Sequence, residues 1–123
     1  MDLLSKKCVP CEEGTEPFAR DEAEKYLSEV KGWEIVDEDD PASSSQNRLR
    51  GASKLKIRKR FRFESYMAGI EFVNKIAKVA DGEDHHPDLY VGYKKVTVNL
   101  MTHNIGGLSE NDFIMAAKID QLV

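Results

Sequence analysis

Leu55, Ile57, Phe61 and Phe63 alternate with Lys56, Arg58, Arg60 and Arg62, the period-two spacing of a strand with one buried and one wet face. Lys59 breaks the apolar side once. The period then lengthens. Tyr66, Ile70, Val73, Ile76, Ala77 and Ala80 recur three and four apart, which predicts the longest helix of the chain, capped at Ser65 or Glu64, running to about Asp81 and stopped by Gly82. A polar loop over residues 83–87 leads into a strand from Leu89 to Tyr93, and Lys94 and Lys95 suit a tight turn. Val96, Val98 and Leu100 then alternate with Thr97, Asn99, Met101 and His103, predicting another strand with His103 turned away from the valine face.

The flanking segments complete the order. Ala23, Tyr26, Leu27 and Val30 trace an apolar stripe over residues 21–31, closed by Gly32, and residues 33–36 read as a short strand. After a turn over residues 104–107, Ser109 and Asp112 stand at capping-box spacing with Asp in place of the usual Glu, and Leu108 and Phe113 occupy the positions of a hydrophobic staple. A last helix follows. Helix, two strands, helix, two strands, helix implies an α+β domain: a four-stranded antiparallel sheet with three helices packed on one face. Residues 1–19 show neither period and read as an irregular N-terminal arm before a single domain over residues 20–123, with a long loop at about 37–53 that holds Pro41, three serines and Gly51.

Composition narrows the classes. With 123 residues, 41% hydrophobic and 33% charged, the chain has the makings of one globular core and not of a disordered tail. No apolar run reaches the roughly 18 residues needed to cross a bilayer, and no leader is recognisable at the start; a cytoplasmic protein without a membrane contact is expected. The net charge of -4 conceals a division. Residues 48–62 carry eight basic side chains and no acid, a charge of +8 against -12 for the remainder. Such a strip raises the question of nucleic acid, with Phe61 and Phe63 as stacking platforms. Strict alternation argues against it, since it places the phenylalanines in the core and the arginines on a solvated face.

His85, His86 and His103 all fall at the ends of elements, and imidazole is the side chain best suited to give and take a proton near neutral pH. Because neighbours in an extended segment point opposite ways, His85 and His86 are not expected to serve one target equally. They form either a functional cluster or a set of hydrogen-bonded structural histidines. A zinc site using nearby Asp81, Glu83, Asp84 or Asp88 is disfavoured, because chelating pairs sit two apart on a strand or four apart on a helix. Cys8 and Cys11 form a CxxC in the arm, with no second ligand pair and no strand before it, so two reduced thiols in a loop are expected in place of a redox or zinc motif.

The segment Asp81-Gly-Glu-Asp-His85-His86-Pro87, followed by Tyr93, His103 and Asp112, resembles the signature of the pterin-4a-carbinolamine dehydratases: an acid four before the histidine pair, an aromatic six after the proline, a histidine ten further on and an aspartate nine beyond. The resemblance also takes in Gly32-Trp33 and residues 63–123. It implies the same fold, homodimers or homotetramers, and dehydration of a 4a-hydroxytetrahydropterin to the quinonoid dihydropterin in tetrahydropterin recycling. It assigns catalysis to His85, His86 and His103, pterin contacts to Trp33, Pro87, Thr102, Asn104 and Ile105, and supporting roles to Asp81 and Asp112. Loss of water from the carbinolamine is acid–base work, so neither a metal nor an organic cofactor is required. His85 and His103 are the expected proton-transfer pair, with His86 positioning. The long loop and the CxxC arm depart from the compact members. Mammalian relatives also serve as dimerisation cofactors of a homeodomain transcription factor, which makes a protein-binding module the alternative.

Overall fold

The computed structural model of the chain describes residues 2–10, 15–37 and 55–123. Helices α1 (Arg20–Leu27), α2 (Tyr66–Glu83) and α3 (Glu110–Asp120) and strands β1 (Glu34–Asp37), β2 (Leu55–Arg62), β3 (Asp88–Val91) and β4 (Lys95–Leu100) follow in the expected α-β-β-α-β-β-α order. The strands pair as one antiparallel sheet, β1-β2-β4-β3. Residues 48–54 of the basic strip, most of the loop at 37–53, and Cys11 lie outside the described residues.

Register decides what the helices cover. Ile35 stands opposite Ile57, Ile57 opposite Leu100, Phe61 opposite Val96 and Leu89 opposite Val98, so the apolar positions of all four strands share one face. That face meets the helices, and the core closes between them around Phe72, Ile76, Phe113 and Ile119. Arg58, Arg60 and Arg62 lie on the opposite face. Phe61 and Phe63 each pack on Phe72, with ring centroids 4.8 and 5.1 Å away, so they are core residues and not stacking platforms.

Three local expectations are corrected. The helix α2 runs through Gly82 to Glu83 and ends at Asp84, which takes the left-handed conformation with φ 52°, a geometry that aspartate tolerates better than most side chains. Its buried stripe is Gly69, Phe72, Ile76 and Ala80, and Tyr66 is exposed. His103 is not on a strand: β4 stops at Leu100, and His103–Ile105 forms a single 3-10 turn. The cap at Ser65 is present, its hydroxyl accepting from the Ala68 N–H at 3.1 Å.

Lys59 is explained by the far end of α3. It lies on the apolar side of β2, where its Nζ reaches Asp120 Oδ1 and the Lys31 carbonyl, both at 2.9 Å. The buried indole of Trp33 donates Nε1–H to the same carboxylate, 3.2 and 3.1 Å from its two oxygens. One carboxylate thus satisfies two groups that the core would otherwise penalise. Asp120→Ala takes the carboxylate from both, leaving the Trp33 N–H without its acceptor and Lys59 with only the Lys31 carbonyl, and should lower the unfolding free energy by about 2 kcal/mol. Lys59→Met, which removes the charge as well as the partner, should cost clearly less; urea titration of the two variants makes the comparison.

Candidate active site

Two loops and a helix start meet at one end of the sheet. The left-handed Asp84 turns the chain sharply out of α2, its successor His85 returning a backbone N–H to the Ala80 carbonyl at 3.2 Å. The 3-10 turn after β4 brings up His103 and Asn104. It is closed by the bridge between Thr102 and Gly107 and by Gly106 at φ 67°. Gly107 has no room for a side chain: a Cβ there would stand 2.7 Å from Pro17 Cβ. The chain is thereby delivered to Ser109, whose capping box with Asp112 starts α3 as expected.

Asp112 has no solvent exposure, and donors converge on its carboxylate from three segments. Oδ2 accepts from the Thr102 hydroxyl at 2.9 Å and the Ser109 N–H at 3.0 Å, while Oδ1 lies 2.7 Å from His85 Nε2. With Thr102 donating to Asp112, the Ser109 hydroxyl donates in turn to Thr102 Oγ1 at 2.7 Å. An acceptor so placed fixes the neutral imidazole of His85 with its proton on Nε2, leaving Nδ1 as the basic nitrogen. His86 pairs outward: its Nε2 is 2.9 Å from Asp81 Oδ1, and both side chains are largely exposed.

These groups border a pocket of about 220 Å³. His85, His86 and His103 all line it, together with Thr102 and Asn104. The histidines meet although His85 and His86 are held by different carboxylates. Pro87, Ile105 and Trp33 are not among the lining residues. Trp33 is bound to Asp120 at the opposite end of α3, eight residues from Asp112 and so about 12 Å along the helix axis. Asp112 and Asp81 are also absent from the lining, each bonded to one of the histidines that border it. Among the described residues, no group of three or more His, Cys, Asp or Glu side chains is arranged to hold a metal ion, and no helix is long and apolar enough to cross a membrane.

A family profile described as Pterin 4 alpha carbinolamine dehydratase matches residues 16–122. The chain belongs to that family. A protein of Nitrosomonas europaea named for the same dehydratase is 46% identical over 98% of this chain and 93% of its own. The mitochondrial pterin-4-alpha-carbinolamine dehydratase 2 of Arabidopsis thaliana is 38% identical over 98% of this chain and 59% of its own. Among solved structures, a transcriptional coactivator/pterin dehydratase from Brucella melitensis aligns with a TM-score of 0.71 at 26% identity, over 87% of this chain and 98% of that one. A pterin dehydratase-like protein described as a RuBisCO assembly factor in the alpha-carboxysome aligns less fully, with a TM-score of 0.50 over 58% of this chain.

The dehydratase family profile leaves out the first 15 residues, yet that part of the arm reaches the site. Val9 and Pro10 line the pocket, as do Asp84, Met101 and Asn111; of these the sequence pattern offers only Asp84, and only as a disfavoured zinc ligand. Leu3 enters the core, so the segment over residues 2–10 is irregular but docked. The Cys8 N–H donates to Glu83 Oε1 at 2.8 Å, and Lys118 Nζ holds Glu83 Oε2 at 2.9 Å; these two donors keep the Glu83 carboxyl below its usual range. Burial, reinforced by the Glu83 charge, pushes the Cys8 thiol up to about 12. Cys8 is therefore a protonated thiol at neutral pH, lying 3.6 Å from the Asn111 carbonyl. In a Cys11→Ser chain at pH 8, Cys8 should react with a disulfide reagent at least about 100-fold more slowly when folded than in denaturant, because the thiolate is the nucleophile. Stopped-flow absorbance measures both rates; equal rates would mean an accessible thiolate.

Proposed function

We propose that the protein dehydrates a 4a-hydroxytetrahydropterin to the quinonoid dihydropterin by histidine acid–base catalysis, in tetrahydropterin recycling. The observation that carries this reading is His85, fixed by the buried Asp112 in a pocket that His103 also lines. The substrate carries a hydroxyl on C4a beside N5–H. Its dehydration breaks the C4a–O bond, releases water and forms the C4a=N5 double bond. His85 takes the N5 proton through Nδ1, and the Asp112 carboxylate stands opposite the positive charge that the ring then acquires. His103, on the exposed turn, gives a proton to the departing hydroxyl, and His86 positions the substrate. No step calls on a metal or an organic cofactor.

The alternative, a dimerisation partner of a transcription factor, is favoured only by the name of the Brucella protein. Nothing in such a role asks for a histidine backed by a buried carboxylate. Assembly as a homodimer or homotetramer is supported by the sheet edge, where β3 and the turn after it expose Tyr90, Val91 and Tyr93. A cytoplasmic location is part of the same reading.

The test is dehydration of freshly made 4a-hydroxytetrahydrobiopterin with EDTA present. Turnover should survive chelation; loss that zinc restores would overturn the metal-free mechanism. His85→Ala and His103→Ala should each lower kcat by roughly 10²- to 10⁴-fold. Because both act on one event, the double variant should lose far less than the product of the single losses. Near-normal turnover in either single variant would make that histidine structural.

Asp112→Asn tests the tautomer separately. The amide keeps the size of the carboxyl and can turn its NH₂ toward Nε2, which moves the imidazole proton to Nδ1 and removes the base. kcat should fall by about 10² or more with a small change in KM. A variant with normal kcat would show that Asp112 serves the helix cap alone.

A further inference from the structure

Three consecutive residues at the start of α3 each hold another segment, two of them the arm and the third the histidine loop. Glu110 takes Lys6 Nζ at 2.8 Å, Asn111 takes Val9, and Asp112 takes His85. The grip on Val9 is two-sided. Its N–H donates to Asn111 Oδ1 at 3.0 Å, and Asn111 Nδ2 donates to its carbonyl at 2.6 Å. With the bond from Cys8 N–H to Glu83, two residues before His85, the arm is fixed to the same two elements that carry the catalytic histidine and its carboxylate. The outcome is an apolar pair, Val9 and Pro10, on the wall of a pocket otherwise bordered largely by imidazole, carboxylate and amide. Val9 is 64% exposed although it is a large apolar side chain. Its backbone is clamped at the pocket border while the residue stays largely exposed.

A flat heterocycle needs an apolar surface against its ring as well as polar groups at its edge. We propose that the N-terminal arm is part of the substrate site, with Val9 and Pro10 as a wall that the bound tetrahydropterin touches and Asn111 as the residue that positions that wall. The proposal rests on the dehydratase reading and extends the site beyond the segment that the family profile covers, which begins at residue 16. Pro10 has a fixed φ, and Val9 is β-branched with few rotamers. Both therefore present their surface at little entropic cost on binding.

Val9→Ala keeps every backbone bond and removes only the exposed surface. It should raise KM for 4a-hydroxytetrahydrobiopterin by roughly 3- to 10-fold, the range set by two lost methyl contacts. The melting temperature should stay unchanged and kcat within about threefold. Val9→Ile should restore the KM. Asn111→Ala frees the arm and should raise KM by at least as much, and adding Val9→Ala to it should do little more, because Asn111 acts through Val9. Lys7→Ala, in the arm but off the pocket, should match the wild type. Affinity for 7,8-dihydrobiopterin, followed by calorimetry, should change in parallel with KM. Wild-type KM in both Val9→Ala and Asn111→Ala would overturn the wall while leaving the dehydratase reading intact. If Asn111→Ala fails to fold, Val9→Ala decides alone. Absence of both turnover and pterin binding in the wild type would overturn the dehydratase reading, and this proposal with it.

Discussion

A carboxyl group with no solvent exposure is costly unless its oxygens are hydrogen-bonded, and Asp112 meets that demand with donors drawn from three separate segments. Ser109 comes from its own helix start, Thr102 from the end of the β4 strand, and His85 from the loop beyond α2. Loss of any of them leaves a buried oxygen short of a donor, at about 1–3 kcal/mol. The cap of α3 and the orientation of His85 are therefore a single requirement. Here one side chain both caps a helix and orients a histidine, because its two oxygens face different ways.

The two ends of α3 use the same device for different purposes. At the start, Asp112 fixes a histidine that faces a pocket. At the finish, Asp120 satisfies the Trp33 indole and the Lys59 ammonium, which otherwise interrupt an apolar face. With α3 held at both ends, its first turn is a fixed platform. Glu110, Asn111 and Asp112 point from that platform to Lys6, Val9 and His85, so the arm and the histidine loop keep a common register although they are far apart in the chain.

What the sequence disclosed follows from what is local. Alternation over residues 55–63 and 96–101 and the Ser109–Asp112 spacing depend on neighbours a few positions away, and the strands and the cap lie where those patterns put them. The end of α2 was hidden because Gly82 is the obvious stop. The actual stop is a left-handed aspartate, with Glu83 held in the helix by donors from Cys8 and Lys118. Lys59 looked like a flaw in its strand because its partner lies 61 residues later. The histidines were legible through their spacing and through the family resemblance. The family resemblance puts Trp33 at the site, whereas its indole is bonded to Asp120 at the other end of α3. Val9, Pro10 and Asn111 carry no signal of their own, since an arm without periodicity gives no hint of where it docks.

The exposure of the three histidines suggests how the proposed reaction divides its labour. His85 is sheltered, 10% exposed at its side chain, and its proton traffic runs through whatever occupies the pocket. His103 lies on an exposed turn and His86 is more than half exposed, so each can exchange protons directly with water. An elimination that releases water needs one proton removed from the substrate and one delivered to the departing oxygen. The delivered proton is best supplied by a group that solvent can recharge, and the removed one by a group whose orientation cannot wander. The sheltered, carboxylate-held ring and the exposed ring on the 3-10 turn match those two demands, which is why the base is placed on His85 and the acid on His103.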